Sequence, residues 1–134
     1  MKIILLADDA LRLVPELGPM TIEARSADQL YSPFHMLASG LALCTFSILQ
    51  SWAETTRLSA DELAVEIGWS FVEDPHRIGA LTVTLDWPAL PPSRVAAARR
   101  VAARCAIHAT LHHPPEIAIV LTDSEAPAAE AASR

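Results

Sequence analysis

Apolar residues crowd one stretch of this chain, Ser32 to Trp52, SPFHMLASGLALCTFSILQSW. Ser32 is a good helix N-cap. Pro33 suits the first helical position, where its missing N–H would be unpaired in any case. Met36, Leu37, Leu41, Leu43, Cys44, Phe46, Ile48, Leu49 and Trp52 go right round that helix rather than along one stripe. A helix apolar on every side is buried on every side. The pattern therefore predicts a core helix, with a kink near Gly40 and an end around Thr55 to Leu58. The run is broken by Ser39, Thr45, Ser47 and Gln50, and reads as too short for a membrane span of about 20 predominantly apolar residues.

Ahead of this helix, Lys2 to Ala7 reads as a strand and Asp8-Asp9 as a turn. Leu11 to Val14 reads as the hairpin partner and Met20 to Arg25 as a third strand; Ser26 to Tyr31 connects to the helix. After it comes the cleanest periodicity. Val65, Ile67, Trp69 and Phe71 alternate with smaller or polar residues, and so do Leu81, Val83, Leu85 and Trp87. Period two marks half-buried strands, and the polar turn Glu73-Asp74-Pro75-His76 joins them as an antiparallel hairpin. Ser93 to His113 reads as a second long helix, stopped by Pro114-Pro115. Glu116 to Leu121 reads as a last strand. Residues 1–122 then form one domain and 123–134, small, polar and Ala-rich, a disordered tail. The fold class expected is α+β, with antiparallel sheets around two long helices. One such sheet cannot easily wrap a helix apolar all round, and a symmetric dimer would shield it.

Composition narrows the function. At 134 residues, half of them hydrophobic, one domain with a real core is expected. A net charge of −6 argues against nucleic acid, which needs a basic face. Two cysteines far apart do not make an extracellular disulfide framework. MKIILLADDALRL fits a first strand better than a signal peptide, so a cytoplasmic protein without membrane attachment is expected. Four glycines and no phosphate loop leave no nucleotide cofactor to expect.

The candidate chemistry is sulfur. Cys44 lies in the core helix and Cys105 in ARCAIHATLHH. The reactive form is the thiolate, and a free thiol has a pKa of about 8.5. Burial raises that further unless a cation or donor is near, so Cys44 in an apolar run is by default an inert small hydrophobe. Arg25, Arg12 or His35 could activate it; only His35 is local, nine residues earlier. A second possibility is zinc. Cys105, His108 and His112 stand at i, i+3 and i+7, and His35 or His113 could complete four ligands. The plainer reading, with no metal, makes His112-His113 solvated helix-end residues.

Two motifs give the chain a resemblance to the OsmC/Ohr family, the osmotically inducible and organic hydroperoxide resistance proteins. One is a proline followed by an apolar helix with a cysteine eleven residues on, PFHMLASGLALC from Pro33 to Cys44. The other is RCAIHATLHHPPEIAIVL, similar to the family's Cys-Pro-Val-His-type segment. The resemblance runs from about Tyr31 to Leu121. It implies an intertwined homodimer with sites at the interface and a thiol peroxidase reducing organic hydroperoxides. Cys44 would be the peroxidatic thiol and Cys105 the resolving one, with a thiol reductant as partner. Family peroxidases carry a carboxylate after the motif proline, which holds an arginine over the sulfur; here Phe34 stands there, and Arg25 or Arg12 is the candidate arginine. The alternative is a non-catalytic member that binds a small hydrophobic ligand or partner.

Overall fold

Why does the long apolar stretch become one helix? Ser32 caps it as expected: its hydroxyl accepts the backbone N–H of His35 at 3.3 Å. Pro33 opens helix α1, Pro33–Thr56, which runs unbroken through Gly40. Arg57, in the left-handed region at φ 58°, ends it, and Leu58 N–H closes on Ala53 C=O at 2.9 Å. The computed structural model describes residues 1–121; the tail expected at 123–134 lies outside them.

Strands β1 (Lys2–Ala7), β2 (Ala10–Val14), β3 (Thr21–Ala24), β4 (Ala64–Val72) and β5 (Arg77–Asp86) form a single sheet in the order β3-β1-β2-β4-β5. The β4–β5 hairpin is the one the alternation foretold, pairing Val65 with Leu85, Ile67 with Val83 and Trp69 with Leu81. Val65, Ile67 and Trp69 turn inward with Ile3, Leu5, Leu11 and Leu13 to make the core beneath Leu41, Phe46 and Leu49 of α1.

Three expectations are corrected. The sheet is mixed, because β3 runs parallel to β1. Strand β2 ends beside the start of β1, where Val14 pairs with Lys2. A short loop therefore brings the chain round to the other side of β1 pointing the same way. Second, Ser93 to His113 is not one long helix. It is a 3-10 turn, Pro92–Arg94, then α2, Val95–Ala102, and α3, Ala106–His112. Third, Glu116 to Leu121 joins no strand among the described residues, and Ile117, Ile119, Val120 and Leu121 are 80–90% exposed.

By length and hydropathy α1 could cross a membrane, so its apolar run is longer than the sequence reading allowed. It is nonetheless packed within this fold. It lies on β2 and β4 on one side and meets α2 and α3 on another. An open sheet with free edges does not survive in hydrocarbon.

Candidate functional site

Cys44 sits midway along α1, half-buried; Cys105 is 1% exposed at the break between α2 and α3. The break has neither proline nor glycine to cause it. Cys105 takes an extended conformation (φ −56°, ψ 133°) and becomes the N-cap of α3, its sulfur accepting the His108 N–H at 3.4 Å. The first N–H groups of any helix lack partners within it. In α3 those of Ala106 and Ile107 are close enough to the Cys44 sulfur to favour its thiolate.

The two thiols are therefore neighbours, free of any disulfide, and each alters the other's ionisation. Burial pushes the Cys44 thiol up. Hydrogen bonding from Cys105, and then from the amides of Ile107 and Ala106, outweighs burial and leaves Cys44 below the ordinary thiol value. Cys105 goes the other way. Burial and the adjacent Cys44 sulfur raise it, against the weaker pull of the His108 amide and Thr45. One sulfur is thus biased to thiolate and its neighbour to thiol. Iodoacetamide is accordingly expected to alkylate Cys44 before Cys105. The Cys44 rate should rise through a midpoint at lower pH than that of an ordinary thiol, as read by peptide mass spectrometry across a pH series.

The cations proposed as activators are placed elsewhere. Arg12 is held on the sheet by Asp86 and, at 3.4 Å, by Glu66. His35 has both ring nitrogens engaged: Nδ1 accepts the Ser32 N–H at 3.2 Å, and Nε2 donates to the Ala7 carbonyl at 3.0 Å. Arg25 is exposed just beyond β3, where its backbone N–H donates to Gln29 Oε1 at 3.0 Å. Its side chain makes no ion pair among the described residues. Phe34 packs edge-on against Phe71 with ring centroids 4.8 Å apart. The zinc arrangement does not form: among the described residues, no three His, Cys, Asp or Glu side chains converge to hold a metal.

Two open grooves share Val83 and His108 as walls, and neither Cys44 nor Cys105 lines them. One, of about 500 Å³, lies between β5 and α2 and reaches Thr45. The other, of about 650 Å³, lies between β5, α3 and the first half of α1. The sequence reading singled out the two sulfurs. It did not find the α3 amides, because no residue type marks a backbone N–H left free by a bend.

Comparison with known proteins bears on the fold and the family. A crystal structure from Psychrobacter arcticus 273-4, of a protein whose name refers to osmotic stress induction and a detoxification response, superposes with a TM-score of 0.57. The two are 15% identical, and the match covers 81% of this chain and 84% of that one. At that identity the likeness is one of fold. No curated protein sequence matches. The family model for OsmC-like protein matches residues 26–120, from the loop before α1 through both cysteines; the chain belongs to the OsmC-like family.

Proposed function

We propose that this protein is a two-cysteine peroxidase that reduces organic hydroperoxides. The observation that carries the reading is the asymmetric thiol pair: Cys44 biased towards thiolate, with Cys105 as neighbour. The Cys44 thiolate attacks the terminal oxygen of ROOH. The O–O bond breaks, the alkoxide takes a proton and leaves as ROH, and Cys44 becomes a sulfenic acid. The Cys105 sulfur then attacks the Cys44 sulfur, its proton and the departing hydroxide leave as water, and a disulfide forms. An external dithiol reduces that bond and is itself oxidised. No bound cofactor is needed.

The reading extends to a homodimer. No Asp, Glu, Lys or Arg occurs from Pro33 to Ala53, and Met36, Leu37 and Leu43 of α1 remain exposed, as do Ile117 and Ile119 near the end of the described chain. A second copy would cover these apolar surfaces. Arg12 being tied to carboxylates, Arg25 is the arginine assigned to the reactive sulfur in that assembly. A cytoplasmic, reducing location accompanies this chemistry.

A second reading, a non-catalytic binder of a small hydrophobic ligand, is favoured by one feature: Phe34 replaces the carboxylate and lines a groove. Counting free thiols before and after one equivalent of cumene hydroperoxide separates the two. The peroxidase loses both thiols of each chain within the mixing experiment; a chain that keeps both is a binder.

A further inference from the structure

Charge is unevenly spread along this acidic chain. Residues 87–115 hold four of its ten Lys and Arg residues, Arg94, Arg99, Arg100 and Arg104, and none of its sixteen Asp and Glu residues. They span the 3-10 turn, α2 and α3. All four arginines are exposed, and none of them forms an ion pair among the described residues. The helix beneath supplies no counter-charge. Both α2 and α3 pack on α1, which carries no charged residue from Pro33 to Ala53. Asp86, the last carboxylate before the segment, is taken by Arg12. A positive surface therefore stands on a molecule of net charge −6.

Helix stability accounts for only two of the four. Arg99 and Arg100 lie in the last turn of α2, where the helix dipole favours cations. Arg94 is the N-cap of α2 and makes no side-chain capping bond. Arg104 directly precedes Cys105, the N-cap of α3. Those are ends where the dipole favours carboxylates, and neither first turn has one. The patch also borders the cysteine pair: Arg104 adjoins Cys105, and Arg99 lines the same groove as Thr45, the residue after Cys44. A thiol reduces a disulfide by attacking as its thiolate, and a positive field at this place draws in a negative partner. We infer that the arginines around α2 dock an acidic protein that carries the reducing dithiol. Resting on the peroxidase reading, the inference gives the electrons their source. The partner's two thiols close to a disulfide, and their two electrons and two protons open the Cys44–Cys105 disulfide to two thiols.

Two synthetic peptides are the probes: a Cys-Gly-Gly-Cys centre flanked by glutamates, and the same centre flanked by glutamines. Labelled versions with serine for cysteine test docking alone, by fluorescence anisotropy against the reduced protein at low salt. The glutamate peptide is expected to bind saturably and at least about tenfold more tightly than the glutamine peptide, an advantage that fades in roughly 0.3 M salt. The triple variant Arg99→Gln, Arg100→Gln, Arg104→Gln should lose about tenfold in affinity for the glutamate peptide. Lysine at the same three positions should retain most of it, and Arg77→Gln, at the start of β5, should bind as the wild type does. With the disulfide formed, the glutamate dithiol should reduce it at least about tenfold faster than the glutamine dithiol, a ratio that falls to about one in the triple Gln variant. Equal binding of the two peptides, wild-type binding by the triple Gln variant, equal reduction rates, or an oligothymidylate of matched charge binding as tightly as the glutamate peptide would each overturn the inference. If hydroperoxide forms no Cys44–Cys105 disulfide while the glutamate peptide still docks, the peroxidase reading falls together with the partner's reducing role, and the acidic-protein docking surface stands.

Discussion

Cys44→Ser is expected to reduce organic hydroperoxide turnover to the uncatalysed background, because serine offers no thiolate and no route to a sulfenic acid. Cys105→Ser should behave differently. Its Cys44 still loses one thiol to the first equivalent of peroxide, but the sulfenic acid has no neighbouring sulfur to condense with. It should therefore persist long enough to be captured by dimedone and weighed by mass spectrometry, and turnover should stop after one cycle unless a small thiol is supplied. The wild type should yield a Cys44–Cys105 disulfide and little dimedone adduct. If Cys105→Ser turned over at the wild-type rate with the same reductant, the resolving role of Cys105 would fall, whatever Cys44 does.

The second large effect concerns stability. His35→Ala is expected to destabilise the fold by about 2–4 kcal/mol, from a buried cavity and lost hydrogen bonds together, lowering Tm by roughly 10 °C. His35 is 2% exposed. Its ring lies perpendicular to Trp69 at 5.0 Å, and it bridges the first turn of α1 to the end of β1. The partners fix its neutral tautomer: the Ala7 carbonyl can only accept, so Nε2 carries the hydrogen, and the Ser32 N–H can only donate, so Nδ1 offers its lone pair. Glutamine at the same position can still reach back to the Ser32 N–H as the third helical residue of a capping box, but loses the link to Ala7. His35→Gln should therefore recover about half of the loss. Urea unfolding midpoints of the three proteins check this order, and an alanine variant within about 1 kcal/mol of wild type would show that solvent replaces the bridge.

His35 also shows where reading residues in a line succeeds and where it stops. Ser32 and Pro33 announced the start of α1 because caps are local chemistry. The β4–β5 hairpin was visible because Val65, Ile67 and Trp69 alternate against a core. The sequence offered His35 as an activator of Cys44, and its real partners, Ser32 and the distant Ala7, emerge only when β1 meets the helix. The direction of β3 likewise depends on where Val14 ends beside Lys2. The site was half legible: two motifs marked the sulfurs. Their electrical environment comes from a bend at Cys105 that no proline or glycine announces, in a segment of good helix formers such as Ala102, Ala103 and Ala106.

That bend carries a last consequence. Residues 102–106 have every local reason to continue as helix, so the kink is held by the docking of Cys105 and α3 against α1. When α3 lifts away, the amides leave with it, and Cys44 reverts to a commonplace mercaptan. Its acidity therefore tracks tertiary closure, lowered below the ordinary thiol value only while the last short helix is seated.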